Sequence, residues 1–341
     1  MAIKADGHHA ADAPHRSRIF KLLRRGLTGA AGMRSKHGAG LALDILEANG
    51  IDEIALPRPD GRLIHISTRD KVISSEVLRL GSFGRDNMDA FVALLKASDL
   101  DPSDLTFVNI GANIGTACLN AYSHGFRRLV AVEPEPRNFS LLERNLGDLP
   151  GASVRCMQLA IGDAQGRAVL HRHGRNLGSH SLLGAVQGRP SDDAIEVPVD
   201  TLSAVVDPRE AFVLFIDVEG FEPQVLRGGA ETIARGCAGI AMEITPSRYA
   251  ESEAADLCAR TSPLTRCASI RGAASADGPA CARSFRHRLR RRQSPRLLSA
   301  GLPEDAATGP GAVALVGSAV IVFGSMPDGA PACAARIAAS R

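Results

Sequence analysis

The chain has 341 residues, of which 45% are hydrophobic, and this length supports one sizeable core with appended segments. A net charge of +3, two tyrosines and no tryptophan argue against a surface that stacks bases, so we expect no specific nucleic-acid partner. Seven cysteines without a C-x-x-C pair, and an N-terminus without the apolar stretch of a signal peptide, predict reduced thiols, no metal centre and a cytoplasmic location.

Residues 1–40 are rich in histidine, arginine, alanine and glycine, and they predict a basic flexible extension. The segment 16–27 has the pattern of a basic amphipathic helix. Two interpretations stay open for it: weak contact with an anionic membrane surface, or a solvated extension, which we favour. Residues 41–100 predict a small lead-in to the main domain, with β segments at 51–56 and 63–67.

The segment 107–115 carries the strongest local signal in the chain. An apolar run rich in β-branched residues meets a turn with Gly111 and Gly115, and an amphipathic stretch follows, which predicts strand, tight turn and helix. A second apolar run, 129–132, ends in Glu133, and a carboxylate at this place commonly binds ribose hydroxyls. Together these features predict a nucleotide-type cofactor site.

The turn also indicates which cofactor binds. The dinucleotide pattern G-x-G-x-x-G is absent, because Ala112 and Asn113 stand between the glycines and leave less room for a pyrophosphate. A cofactor without phosphate groups fits better, and S-adenosylmethionine is the first candidate. Its ribose is expected at Glu133 and its amino-acid end along the turn 111–115. A strand-turn-helix without any ligand is the alternative.

The following elements continue in the order of a doubly wound sheet. They are predicted as a helix at 136–146, a third strand at 154–161, and short β segments at 166–172 and 195–206. Asp163, just past the third strand, either accepts a hydrogen bond from an adenine amino group or simply forms a turn. The loop between the short β segments contains His180, which is a candidate base.

A second group of functional candidates follows the apolar run 212–216, whose lack of alternation is typical of a strand buried on both faces. Asp217 and Glu219 stand at its carboxyl end, where ligands bind in open α/β sheets. A single acid at this place often only caps the N-terminus of the following helix or interacts with its dipole. Two acids and a glycine after an uncharged strand favour a functional role. A helix at 222–234 and a fifth strand at 240–244 are predicted next.

These segments together resemble the FkbM family of S-adenosylmethionine-dependent methyltransferases. The matching pieces, in the family's order and spacing, are VNIGANIG at 108–115, VEPEP at 132–136, Asn138, Asn145, AIGD at 160–163, VDTL at 199–202, IDVEG at 216–220, VLRG at 225–228 and Glu243. The resemblance covers about residues 70–250. It implies an α/β fold with a doubly wound, Rossmann-like methyltransferase sheet, mostly parallel and with helices on both faces, whose cofactor domain is expected at 101–250.

The resemblance implies methylation of a hydroxyl on a sugar, glycan, lipid-linked or natural-product acceptor. The residues expected to hold the cofactor are Asn109, Gly111, Asn113, Gly115, Glu133, Asp163 and Asp217. Methyl transfer depends mainly on holding the acceptor oxygen close and aligned, helped by a base that removes the hydroxyl proton. Asp217 and Glu219 are the first candidates for that base, and His180 is the third.

Three positions depart from the family. Asn109 stands where members usually have aspartate. Asparagine lacks the negative charge that would attract the ammonium group of the cofactor, so Asn109→Asp is expected to tighten binding. Phe215 replaces a lysine of many members, and His180 a small polar residue. Asn109 and the atypical C-terminal region motivate an alternative function, a cofactor-binding module that has lost catalysis and has a scaffold or regulatory role. A nicotinamide-dependent reductase is a third, opposed by the missing dinucleotide pattern and by the acid pair.

Residues 251–341 change in character and are predicted to be atypical and partly disordered. A methyltransferase sheet needs two further strands here, the last one antiparallel, and 313–323 can supply a strand or a hairpin. The segment 258–300 has no apolar period and is densely basic at 283–296, which leaves phosphate binding, disorder and a shifted reading frame as alternatives. We favour the last two and expect trypsin to cut first at 283–296, leaving a core that starts before residue 80.

Overall fold

The computed structural model describes residues 36–58, 60–183, 193–207, 209–243, 313–316 and 319–323. The predicted amphipathic segment at 16–27 and the segment 258–300 with its basic run lie outside the described residues. The expectations for both stay predictions.

The described helices are α1 (Lys36–Ala48), α2 (Ile73–Leu80), α3 (Arg85–Ala97), α4 (Thr116–Ser123), α5 (Pro136–Leu146), α6 (Leu202–Val205), α7 (Glu222–Gly228) and α8 (Ala230–Gly236). The described strands are β1 (Glu53–Pro57), β2 (Leu63–Ser67), β3 (Thr106–Ile110), β4 (Arg128–Val132), β5 (Ser153–Met157), β6 (Ala160–Ile161), β7 (Gly166–His171), β8 (Ala194–Asp200), β9 (Phe212–Ile216), β10 (Cys237–Glu243), β11 (Val313–Val316) and β12 (Ala319–Phe323). A short 3-10 turn at Pro102–Asp104 precedes β3.

The main sheet, over the described residues, has seven strands in the order β11-β12-β10-β9-β3-β4-β5. Its five strands from β10 to β5 run parallel, and β12 runs antiparallel to both β10 and β11. The strand order reverses between β3 and β9, so their carboxyl ends form the switch point where open α/β sheets bind ligands. The predicted doubly wound α/β fold is confirmed.

The central strand β3 divides the core into two layers. Phe107 packs on one face of the sheet with α4 and α5, and Val108 and Ile110 pack on the other face with α7 and α8. Phe215, which stands where many family members have lysine, belongs to the first layer, with its ring centroid 5.9 Å from that of Phe107 and 6.3 Å from that of Phe91. Its side chain therefore fills the core, and the missing cation is replaced by aromatic packing.

Three predicted elements are interrupted in the structure. The strand expected at 154–161 is split, because Ala160 and Ile161 leave the main sheet and pair with β8 in a separate sheet of order β6-β8-β7. The helix expected at 222–234 breaks at Gly229, where a Cβ atom would lie 2.8 Å from the Leu202 Cδ2 atom. The β segment expected at 195–206 likewise ends at Asp200 and continues as α6. In the first case the cause is a pairing between residues distant in sequence.

The lead-in packs against the main sheet as part of the same core. Its two strands form an antiparallel hairpin, and Asn145 of α5 joins this hairpin to the first turn of the domain. The Asn145 carboxamide accepts from the His65 N–H (2.6 Å) and donates to the carbonyls of His65 (3.0 Å) and Ile114 (2.8 Å). Among the helices of the described ranges, none is long and apolar enough to cross a bilayer.

Candidate active site

The turn after β3 joins the ends of three strands. The N–H groups of Gly111 and Ala112 both donate to the Val132 carbonyl at 2.9 Å, and the Asp217 N–H donates to the Ile110 carbonyl at 3.0 Å. Gly111 has φ +80°, and a Cβ atom there would lie 1.9 Å from the Asp217 carbonyl oxygen. Glycine is required at this position because the backbone of β9 passes directly over it.

Glu133 is buried at the end of β4, with 5% of its surface exposed. Its Oε2 atom accepts from the Asn113 N–H at 2.8 Å, and its Oε1 atom accepts from the Glu135 N–H at 2.9 Å. Burial, opposed by these two backbone hydrogen bonds, raises the pKa of Glu133 to about 7. The Asn138 side chain also hydrogen-bonds to Glu133. A carboxylate has about four lone-pair positions, so a position remains for a hydroxyl donor.

An open cleft lies at the carboxyl ends of the parallel strands. Polar and turn residues line it together with apolar side chains from β6, from β7 and from the neighbouring strand ends and loops. The polar and turn residues are Gly111, Asn113, Glu133, Asn138, Gly178, His180, Asp217 and Glu219. The apolar wall is made by Ile73, Ile110, Val132, Pro134, Leu159, Ala160, Ile161, Leu170, Leu177, Leu182, Val218 and Phe221.

The turn after β9 brings the predicted acids to the cleft. Asp217 and Glu219 both line it, and Glu219 has a positive φ of 55°, which is uncommon for a residue with a side chain. The buried Glu222 carboxylate accepts from the N–H groups of Val218 (3.3 Å) and Gly220 (3.2 Å). The backbone of the turn is therefore fixed by a side chain at the start of α7.

The segment 172–183, called the cover segment here, closes one side of the cleft. Its Leu177 carbonyl accepts from the side-chain amides of Asn113 (3.0 Å) and Asn138 (2.9 Å). The Ser181 hydroxyl donates to the Glu219 carbonyl at 3.0 Å, so the cover segment also touches the turn after β9. No local sequence pattern indicates that Leu177 is a shared acceptor, since the bond uses its backbone.

His180 lies in the cover segment with a defined orientation. Its Nδ1 atom accepts from the His173 N–H at 2.9 Å, so the neutral ring carries its proton on Nε2. Burial lowers the pKa of His180 to about 4, although Glu135 opposes the shift. The ring is therefore neutral near pH 7, and its Nε2 atom is a hydrogen-bond donor.

Three predicted cofactor residues do not line the cleft. Asp163 is half exposed and lies 3.6 Å from the Arg227 guanidinium. Gly115 has φ +89°, a backbone conformation that side-chain-bearing residues rarely adopt, and this turn conformation explains the glycine. Asn109 is buried beneath the turn, with its amide nitrogen 3.7 Å from the Cys118 sulfur and no partner for its Oδ1 atom among the described residues.

The described parts of the chain contain no group of three or more His, Cys, Asp or Glu side chains arranged to hold a metal ion. The cleft does fit S-adenosylmethionine. It offers a buried carboxylate with a free lone pair for ribose, an apolar wall for a ring, and two buried polar atoms, of Asn138 and His180, that have no partner in the described structure.

Comparison with known proteins agrees with this fit. A family model described as the methyltransferase FkbM domain matches residues 109–262. No curated protein matches the chain. Among solved structures, methyltransferase FkbM from Methylobacillus flagellatus KT has 18% identity over 51% of this chain and 42% of its own, with a TM-score of 0.30. The match thus spans less than half the length of that protein.

Two further solved structures were determined with S-adenosylmethionine bound. An amino pentose methyltransferase of calicheamicin biosynthesis from Micromonospora echinaspora has 13% identity over 49% of this chain and 53% of its own, with a TM-score of 0.26. Magnesium protoporphyrin IX methyltransferase from Synechocystis PCC 6803 has 10% identity over 54% and 70%, with a TM-score of 0.30.

The fold and the family model together define a domain of the S-adenosylmethionine-dependent methyltransferase type within the described part of the chain. Residues 109–262 match the model of the methyltransferase FkbM domain. The family and the cofactor predicted from the sequence are confirmed.

Proposed function

We propose that the protein methylates a hydroxyl group of a small-molecule or glycan acceptor, such as a sugar, a lipid-linked group or a natural product. The observation that carries this proposal is the pair of carboxylates, Asp217 and Glu219, on the rigid turn at the cleft. S-adenosylmethionine, when bound, supplies an electrophilic methyl group. A hydroxyl that attacks it has to lose a proton, and a carboxylate within hydrogen-bond reach can accept that proton.

In this proposal the two sides of the cleft have different tasks. Glu133 binds the ribose hydroxyls, and the turn at 111–115 with Asn113 orients the amino-acid end. Asp217 or Glu219 accepts the acceptor's proton and aligns its oxygen. His180 serves as a donor, because its Nδ1 atom is already occupied by the His173 N–H.

The test separates binding from chemistry. Calorimetry of the wild-type chain with S-adenosylhomocysteine and with NADH establishes the cofactor, and labelled methyl transfer to a panel of hydroxyl acceptors establishes turnover. Asp217→Asn and Glu219→Gln should keep affinity for S-adenosylhomocysteine, while the variant of the acting base loses about 10²–10⁴-fold in turnover. Glu231→Gln, on the exposed side of α8, is the matched control.

Full turnover in both acid variants would contradict a carboxylate base. Tight binding of S-adenosylhomocysteine without turnover on any hydroxyl acceptor would favour the alternative, a cofactor-binding module with a scaffold or regulatory role. Preferential binding of NADH would indicate a reductase.

A further inference from the structure

Two buried polar atoms in the cleft have no partner among the described residues: the His180 Nε2 atom and the Asn138 Oδ1 atom. The chemical role of each is fixed by the rest of its side chain. Because the His180 Nδ1 atom accepts a backbone N–H, Nε2 is the donor. Because the Asn138 Nδ2 atom donates to the Leu177 carbonyl at 2.9 Å, Oδ1 is the acceptor. Leaving such atoms unpaired is costly, so a ligand that pairs both is favoured.

Both residues belong to the Glu133 side of the cleft. The Asn138 N–H donates at 2.8 Å to the Glu135 carboxylate, and the Glu135 N–H donates to Glu133. The His180 ring also lies near Glu135, whose negative charge acts to raise the pKa of His180 against the effect of burial. The unpaired donor and acceptor therefore lie in the part of the cleft that contains the carboxylate expected to bind ribose.

The wall on this side of the cleft is apolar and suits a flat ring. It is formed by Pro134, Leu159, Ala160, Ile161, Leu170 and Leu182. The acid expected at the adenine, Asp163, is instead turned towards Arg227 and does not line the cleft. Asp163 is therefore not placed to recognise the base, and other polar groups of the cleft are available for it.

We propose that His180 and Asn138 recognise the adenine of the cofactor, with the Nε2–H donating to a ring nitrogen and the Oδ1 atom accepting from the 6-amino group. Adenine presents an acceptor beside this amino group on two edges, through N1 or through N7, and both edges match the pair. The inference rests on the proposed cofactor cleft and gives His180 a binding role instead of a base role.

The first measurement is calorimetry with S-adenosylhomocysteine. His180→Ala and Asn138→Ala should each bind about fivefold to tenfold more weakly than wild type, which is the effect of losing one hydrogen bond in a buried site. His124→Ala is the matched control, since His124 pairs with Asp89 at the far end of α4 and should leave the affinity unchanged. Thermal unfolding of each variant establishes that it is folded.

Ligand analogues test the same bonds in the unaltered protein. S-inosylhomocysteine, which carries a carbonyl in place of the 6-amino group, should bind wild type at least about tenfold more weakly than S-adenosylhomocysteine. Either the 1-deaza or the 7-deaza analogue should lose affinity for wild type but not for His180→Ala, and this identifies the edge. Equal wild-type affinity for the inosyl and adenosyl ligands, or no loss with either deaza analogue, overturns the inference. Failure of wild type to bind S-adenosylhomocysteine would instead overturn the cofactor cleft itself.

Discussion

The two sides of the cleft are held in different ways. On the β4 side, side chains are the fixed elements: both Glu133 oxygens accept backbone N–H groups, and the Asn113 and Asn138 amides converge on one carbonyl. On the β9 side, the backbone is fixed: the N–H groups of Val218 and Gly220 donate to Glu222. Rigid side chains suit a ligand that never changes, whereas a rigid backbone can present its side chains to an acceptor that differs between enzymes.

The two sides meet at Gly111, and its substitution is the largest perturbation. Gly111→Ala should destabilise the protein by about 3 kcal/mol, because the Cβ atom meets the Asp217 carbonyl oxygen and the backbone conformation is unfavourable. Gly61→Ala is the matched control, with a similar φ of +83° but open space around the Cβ position, and it should cost only about 1 kcal/mol. Equal losses in denaturant unfolding would show that the contact with β9 is unimportant.

Removing the charge of Glu133 should affect the β4 side alone. Glu133→Gln should weaken binding of S-adenosylhomocysteine tenfold to a hundredfold, since hydrogen bonds to a charged group contribute about 1.5–3 kcal/mol. Glu143→Gln, on the exposed side of α5, is the control in the same calorimetric titration. Unchanged affinity in a folded Glu133→Gln protein would remove Glu133 from the cofactor site.

Binding should also depend on pH through Glu133. Its pKa is raised to about 7, and ribose hydroxyls donate to the ionised form, so binding should release a proton below that pH. Affinity should rise about tenfold from pH 6 to pH 7.5 and then level off, while Glu133→Gln stays flat. His180, with a pKa of about 4, stays neutral in this range.

The raised pKa of Glu133 makes the pH dependence of folding stability opposite to that of cofactor binding. The folded protein holds the Glu133 proton more tightly than the unfolded chain, so this group's contribution to stability is present below pH 4.5 and is lost as the pH rises towards 7.

The binding prediction is tested separately. A cofactor affinity that falls as the pH rises from 6 to 7.5 would contradict the assignment of Glu133 to the ribose. Calorimetry in buffers with different enthalpies of ionisation measures the released proton directly.

The smallest effect on binding is expected at Asn109. The sequence argument expects Asn109→Asp to tighten binding, but the residue is buried beneath the turn and does not line the cleft. We now expect an affinity within about twofold of wild type and a stability loss of about 1–3 kcal/mol, because a buried acid gains no cation. Calorimetric titration with S-adenosylhomocysteine and thermal unfolding of the Asn109→Asp protein separate these expectations. Binding that is tenfold tighter would support the expectation that a carboxylate at position 109 attracts the cofactor's ammonium group.

Local sequence patterns predict the strand ends well and the enclosure of the cleft poorly. The positions of Gly111, Glu133, Asp217 and Glu219 follow from apolar runs that each end in a turn, because a strand's carboxyl end is defined within a few residues. Gly115 is predicted to lie close to a ligand; in the structure it does not line the cleft, and its φ of +89° is a conformation that favours glycine. The pattern identifies a constrained backbone but not whether a ligand lies beside it.

The remaining parts of the site depend on contacts between distant segments. Ile73 reaches the cleft from the lead-in, and Leu177 contributes a carbonyl that carries no sequence signal. The departure of Ala160 from the main sheet depends on pairing with Val199, 39 positions further along the chain. Only the folded chain shows that Asp163, at the end of this short strand, lies beside Arg227.

The shared Leu177 carbonyl also bears on the speed of cofactor exchange. Two amides, one from the turn after β3 and one from α5, hold the cover segment against the cleft. If the nucleoside leaves past this segment, both bonds break together, and at about 1 kcal/mol each they slow dissociation roughly thirtyfold. Such a barrier lengthens the residence time of the spent product, and release then competes with methyl transfer as the step that limits the cycle.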